Sequence, residues 1–255
     1  MHKIAAWNVN SIKMRLEHVL EWLESSKCDT LMLQEIKTVE ENFPFQALRD
    51  KGYYVEAFGQ KTYNGVSIIS RYPIQEVCRG MPDYTDPQSR VLAATVEDVR
   101  VVNVYIPNGS ALDSDKFVYK MQWLEALQAF LSEQLSQYPQ LVLGGDFNIA
   151  PEDIDVHDPA EWEGKVHVSP QERQAFKGLC ALGLSDSFRC LHPEEVVYSW
   201  WDYRAAAFRR NRGLRIDHLL ITDALKEKLM EAGIDKAPRK LEKPSDHTPV
   251  WLQLS

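Results

Sequence analysis

Leu141-Val142-Leu143-Gly144-Gly145-Asp146-Phe147-Asn148 runs from aliphatic side chains through two glycines to two polar residues. A short apolar run bounded by glycine reads as a strand buried on both faces. The polar residues just past it sit where a rigid sheet aims side chains at one point. The same transition recurs at Trp7-Asn8-Val9-Asn10, Leu33-Gln34-Glu35, Tyr105-Ile106-Pro107-Asn108, Ile216-Asp217-His218 and Ser245-Asp246-His247. A chain that repeats this pattern is expected to be a layered α/β protein with functional groups at its strand ends.

The neighbouring segments fit that expectation. Strands are predicted over 3–7, 30–33, 53–58, 65–70, 91–96, 99–105, 141–143, 214–221 and 249–254. Ile12, Leu16, Val19, Leu20 and Leu23 make a helix face. Phe117, Met121, Leu124, Leu127, Leu131 and Leu135 predict a second helix over 116–137, capped by Asp113 or Ser114. Ser169, Pro170 and Glu172 have the spacing of a capping box with proline at the first helical position. Glu97-Asp98 reads as a hairpin turn. Hairpins mixed among helices favour mixed over purely parallel sheets. No linker, repeat or low-complexity tract divides residues 1–255, so one domain is expected.

Composition narrows the function classes. A chain of 255 residues can bury roughly three quarters of its unfolded surface, so it needs no disulfides. The four cysteines are scattered without a C-x-x-C, which argues against thiolate–metal sites and for a reducing cytoplasm. No apolar run is long enough for a membrane span, and the N-terminal residues lack a signal-peptide pattern. The net charge of −8 argues weakly against nucleic acid, but the charge is segregated. Arg204, Arg209, Arg210, Arg212 and Arg215 share one window with Trp200, Trp201, Tyr203 and Phe208, and a second basic run spans Lys236 to Lys243.

The strand-end set comprises Asn8, Asn10, Glu35, Tyr105, Asn108, Asp146, Asn148, Asp217, Asp246 and His247. It is rich in carboxylate and amide oxygens, which suit Mg²⁺ or Mn²⁺ rather than Zn²⁺. Hydrolysis of a phosphodiester needs an oriented water, a proton acceptor and stabilisation of the developing charge, and the set holds a candidate for each. Asn8 and Asn10, like Asp146 and Asn148, are two apart, which on an extended chain puts both on one face. Each residue also has a plain alternative: a turn or cap, an ion pair of Asp217 with Arg215, an edge aromatic in Tyr105, a core histidine in His247.

Together the motifs WNVNSIK (7–13), LQEIK (33–37), NGVSIISR (64–71), NVYIPNG (103–109), LGGDFNIAPEDIDV (143–156), SPQERQAF (169–176), WWDYR (200–204), NRGLRIDHLL (211–220) and KPSDHTPVW (243–251) resemble the exonuclease III family of DNA-repair nucleases. That family includes the abasic-site endonucleases and belongs to the endonuclease/exonuclease/phosphatase superfamily. The resemblance covers essentially the whole chain, and its later motifs weigh against the lipid and inositol phosphatases. It implies a four-layered α/β sandwich of two mixed sheets packed face to face, with helices outside. It implies Glu35 as the principal Mg²⁺ ligand, helped by Asn8 and Asp246. Asp146 would orient or deprotonate water, and Asn148 and His247 would contact the phosphate. Asp217 would fix the His247 tautomer, Tyr105 would lie near the leaving oxygen, and Asn108 would contact the substrate strand. Asp146 and Asn148 are also counted with the metal site. Asn10 stands where some members have aspartate, which removes one negative charge there. Trp200 or Trp201 would stack on the nucleotide, with one of the two turned inward. Leu214 would form a pocket wall, and Arg204, Arg209, Arg210 and Arg212 would hold phosphates. Duplex DNA is the implied partner and a monomer the expected state.

One residue departs from the resemblance. Members that cut abasic sites have Gly or Ser two places before the helix cap, beside the pocket for the flipped-out sugar. Here that place is His167. An imidazole there narrows the pocket, so 3′→5′ exonuclease and 3′-phosphate removal are expected with weak abasic incision. Two alternatives stand beside this: a conventional abasic-site endonuclease, with His167 swung aside on the surface, and a non-catalytic DNA-binding module. The second would have lost some of Glu35, Asp146, Asp217 or His247, and all four are present.

Overall fold

The computed structural model describes residues 1–255. Its strands are β1 (His2–Asn8), β2 (Thr30–Gln34), β3 (Tyr54–Phe58), β4 (Val66–Ser70), β5 (Ile74–Arg79), β6 (Val91–Val96), β7 (Val99–Tyr105), β8 (Leu141–Asp146), β9 (Leu184–Asp186), β10 (Asp217–Thr222), β11 (Leu229–Ile234) and β12 (Val250–Leu254). Its helices are α1 (Ile12–Ser26), α2 (Phe45–Arg49), α3 (Asp115–Gln137), α4 (Pro159–Trp162), α5 (Pro170–Cys180), α6 (Ser187–Leu191) and α7 (Asp223–Lys226).

Two six-stranded sheets form, in the orders β11-β12-β1-β2-β4-β3 and β5-β6-β7-β8-β10-β9. Each has one parallel pair, β1/β2 or β7/β8, and is otherwise antiparallel. Three apolar clusters define four layers. Ile4, Ala6, Met32 and Ile68 of the first sheet meet Leu92, Val101, Val142 and Leu219 of the second. Trp7, Leu31 and Leu33 pack outward on Val19, Trp22 and Leu23 of α1. Val102, Val104 and Leu143 pack outward on Trp123, Leu127, Leu131, Phe176 and Leu179 of α3 and α5. A strand covered on both faces is apolar at most positions, which explains the unbroken Leu31–Leu33 and Leu141–Leu143 runs in β2 and β8.

Three strands escape the sequence reading. β5 and β11 are edge strands with mostly uncovered faces, and β9 is a three-residue edge. With little surface to bury, an edge shows little apolar pattern. The strand expected over 214–221 starts at Asp217, because Leu214 leaves the sheet to bridge Trp200 and Val156. The α3 stripe is centred differently from the expected one. Trp123 and Phe130 are buried, whereas Met121 and Leu135 are only partly covered. Its cap is Ser114, whose side chain accepts the Phe117 N–H; Asp113 does not cap it. Both halves of the Ser169/Glu172 capping box are present. No helix is long and apolar enough to cross a membrane.

Gly145 lets the central strands close up. Its φ is +143°, and a Cβ there would fall 1.9 Å from the Val104 carbonyl oxygen of β7. That neighbour is backbone and cannot turn aside. Gly145→Ala is therefore expected to cost about 3 kcal/mol or more, read as a fall in the urea midpoint.

Candidate active site

Strand register assembles the centre. Tyr105 at the end of β7 lies opposite Asp146 at the end of β8, and Asp146 lies opposite Asp217 at the start of β10. β10 runs antiparallel to β8, so its first residue reaches the edge where β8 finishes. From the facing sheet come Asn8, ending β1, and Glu35, just past β2. His247 precedes β12 and is bridged to Trp200.

These groups form a connected, largely buried chain. The His247 Nδ1 lies 2.9 Å from Asp217 Oδ2, and its Nε2 lies 3.6 Å from Asp146 Oδ2. Ser199 fixes Asp217 by donating its hydroxyl at 2.6 Å to Oδ2, while its oxygen accepts the Asp217 and Ile216 N–H groups. The Asn8 amide nitrogen donates to both Glu35 Oε1 and Asp146 Oδ2 at 2.9 Å. Burial alone would favour neutral imidazole at His247, but Asp217 and Asp146 outweigh it and raise its pKa to about 10. His247 is thus an imidazolium at neutral pH. Burial raises Asp146 to about 7, against the pull of His247. Tyr105 is pushed well up by burial and by the Glu35 and Asp146 carboxylates, so its phenol keeps its proton.

Donor atoms of Glu35, Asp146 and His247 lie within 4.8 Å of one another. Two carboxylates tied together by one amide, with no thiol nearby, suit a hard divalent cation. Asp246 is outside that trio. Its Oδ1 accepts from Asn10 Nδ2 and its Oδ2 from Trp200 Nε1, both at 3.0 Å. Asn148 is also outside it: its Nδ2 donates to the Ile106 carbonyl and its Oδ1 accepts from Asn108.

The shared-face reading of the paired residues does not hold. Asn10 and Asn148 have φ of +45° and +51°, so neither pair lies on an extended chain. The Asn8 and Asp146 side chains instead accept the N–H two residues on, at 3.0 and 2.9 Å. Each pair is an Asx-type turn that brings the chain round at a strand end.

Beside the centre lies an open cleft of about 580 Å³, lined by Asn108, Trp162, Lys165, His167, Trp200 and Arg204 among others. The His167 ring stands 5.9 Å from Trp162 and 6.4 Å from Trp200, and those two are 6.3 Å apart. His167 is only 6% exposed, and its Nδ1 donates to the Asn148 carbonyl at 2.7 Å. Burial, with Lys120 nearby, lowers its pKa to about 4, so the ring is neutral.

Several expected DNA contacts lie elsewhere. Trp201 is fully buried against Tyr198, Ala207 and Phe208, so Trp200 alone of the pair faces the cleft. Leu214 is buried behind Trp200 and can form only a backing wall. Arg212 is engaged by Glu161, and Arg204 by Asp202 at the cleft. Arg209 and Arg210 are exposed. Arg215 is buried between Asp155 and Asp186 and does not pair with Asp217. In the second basic run, Arg239 is buried and stacks on Tyr203 and Phe208.

Other participants were not singled out from sequence. Lys37 bridges Glu35 at 2.9 Å and Asn10 at 2.5 Å, and its spacing of two from Glu35 was a usable signal. Ser199 and Trp162 gave none. Lys120 was hidden inside an amphipathic helix.

Comparison with known proteins matches residues 5–247 to the endonuclease/exonuclease/phosphatase family model. The chain is 35% identical over 264 residues to exodeoxyribonuclease III of Haemophilus influenzae, covering 98% of this chain and 99% of that one. It superimposes with a TM-score of 0.99 on a Neisseria 3′ phosphatase, NExo, bound to a product DNA hairpin, at 49% identity and full coverage of both chains. An AP endonuclease from Archaeoglobus fulgidus gives 0.97 at 38% identity, again over both full chains.

The raised pKa of His247 has a direction that can be measured. Its unfolded value is near 6.5, so the Asp217–His247 contribution is complete below that pH and is lost as pH climbs through about 10. In EDTA, wild type should lose thermal stability between pH 6.5 and 10, and Asp217→Asn should flatten that slope.

Proposed function

The chain belongs to the endonuclease/exonuclease/phosphatase family, and from that premise we propose that it is a DNA-repair nuclease working on the 3′ ends of duplex DNA. Its reactions are 3′→5′ exonucleolytic cleavage and removal of 3′-phosphate blocks, with weak incision at abasic sites. Its substrate is duplex DNA, on which it works in the cytoplasm as a monomer. The observation that carries the reading is the buried Asp217–His247–Asp146 chain opening beside a cleft whose wall includes the clamped His167.

Each residue's environment suits one task. Asp146, buried and 3.6 Å from His247, is placed to orient the attacking water or take its proton. His247, charged at neutral pH, is a donor to a phosphate oxygen and not a base. Asp217 keeps that imidazolium oriented. The Asn148 and Asn108 amides, hydrogen-bonded to each other, would lie beside the same phosphate, and Tyr105 keeps the proton that a leaving oxygen needs. Mg²⁺, or Mn²⁺ in its place, would be held chiefly by Glu35 and Asp146, with Asn8 tying the two together and Asp246 at the rim. It would supply charge neutralisation for the phosphate. Trp200 supplies a face for the terminal nucleotide, with Arg204 close to the backbone.

The 3′-end preference rests on His167. An internal abasic sugar reaches the centre only by leaving the duplex and entering the pocket. The His167 ring occupies that wall, hydrogen-bonded and packed beside two indoles. A 3′ terminus needs no such extrusion.

His167→Gly should raise incision at an internal abasic site by about tenfold or more while changing 3′-phosphate release by less than about threefold. Both are read on matched duplexes in Mg²⁺. Wild type cutting the abasic duplex as well as the variant does would favour the conventional AP endonuclease reading instead. Asp146→Asn should lower both activities by about 10²-fold or more without altering DNA affinity in EDTA.

A further inference from the structure

Behind the His167 wall lies an ion pair that the chemistry above does not use. Lys120 of α3 and Glu172 of α5 are both 0% exposed and meet at 2.5 Å. Two charges removed from water gain net stability only with excellent geometry and full hydrogen bonding. Here both conditions hold. The Lys120 ammonium uses its three donors on Glu172 Oε1, the Asn148 carbonyl at 2.7 Å and the Asn108 carbonyl at 3.2 Å. Glu172 Oε1 also accepts the His167 N–H at 2.9 Å. Its other oxygen accepts the Ser169 N–H and hydroxyl at 3.1 and 2.6 Å. A charge pair with these partners grips three separate loops, which an apolar pair filling the same space could not do.

The three loops do not depend on it equally. Asn148 is held independently through Asp146 Oδ1, the Ile106 carbonyl and Asn108. His167 sits at φ +76°, a conformation costly for a residue with a Cβ. Its N–H is held by Glu172 and its ring by the Asn148 carbonyl, which Lys120 also holds. Its own carbonyl accepts from Ala150 at 2.8 Å. Release of the pair would therefore first remove the tie on the strained His167 N–H, leaving the ring held only by the Asn148 carbonyl and the two indoles.

We propose that the buried Lys120–Glu172 pair is a positioning device for substrate selection, holding His167 in its strained backbone conformation so that the imidazole stays in the cleft. This rests on the reading that His167 excludes the abasic sugar. Lys120 and Glu172 touch no reacting atom and act only through His167, Asn108 and Asn148.

The test is the double variant Lys120→Met/Glu172→Gln. It removes both charges at similar volume, and glutamine still completes the capping box. The ratio of abasic-site incision to 3′-phosphate release should rise by about tenfold, and the His167 amide should exchange its hydrogen faster. Adding His167→Gly should change the ratio by less than about twofold, since the device then has nothing left to hold. Lys120→Arg keeps the positive charge while displacing the donors. It should move the ratio the same way by a smaller factor. If His167→Gly alone raises the ratio while both pair variants stay within about twofold of wild type, the positioning role is overturned. If His167→Gly itself changes nothing, the failure belongs to the exclusion reading on which the role depends.

Discussion

Asp146 and Asp217 are adjacent in register and both buried, an arrangement that two carboxylates alone could not sustain. His247 makes it tenable by lying between them, 2.9 Å from one and 3.6 Å from the other. Mutual need sets the protonation of His247 and Asp146. The carboxylates keep the imidazole charged despite its burial, and the imidazolium restrains a carboxyl pKa that burial would push higher. The surrounding structure serves this triplet: Ser199 fixes Asp217, and Asn8 couples Asp146 to Glu35 across the gap between the sheets.

The two-sheet arrangement explains why the centre lies at the sandwich edge. The interior between the sheets is almost wholly apolar; there the Gln34 Nε2 donates to Asn103 Oδ1 at 2.7 Å, and the Asn103 amide donates to the Leu33 and Ser67 carbonyls of the facing sheet. Between the sheets, the charged groups of the centre sit where strands end and loops supply donors. Both parallel pairs lie in the middle of their sheets, so β1, β2, β7 and β8 deliver their C-terminal ends to one edge, and antiparallel β10 delivers its start. Around that edge, substrate choice is set by a separate layer of loops. Their positions depend on buried polar contacts such as Lys120–Glu172 and Arg215 with Asp155 and Asp186.

Legibility followed burial. β6 and β7 were readable to the residue and β2 to within one, because coverage on both faces makes their sequences mostly apolar; β8 was readable only over Leu141–Leu143, since its Gly144-Gly145-Asp146 end carries no apolar pattern. β5 and β11, open at the edges, were not. The α5 start was readable because a capping box is local chemistry, with partners three residues apart. Trp200 and Trp201 could be recognised as one inward and one outward, but only packing against Phe208 decides which is which. The arginine cluster looked uniform in sequence. In the fold its members divide among Asp202, Glu161, Asp155 and solvent.

The sequence by itself determined which strands are buried, which strand ends carry polar groups, that those groups favour hard cations, and where α5 begins. All of these follow from alternation, composition and contacts within a few residues. Only the tertiary structure decided that Asn10 and Asn148 turn rather than extend, that Arg215 turns away from Asp217, that Asp246 serves Asn10 and Trp200, and that a buried lysine stands behind His167. The two turns are Asx contacts on a positive-φ backbone that the alternation pattern does not reveal, and the other placements depend on partners tens to hundreds of residues away. A side chain's long-range partner is fixed by how the layers pack, and no local pattern encodes it.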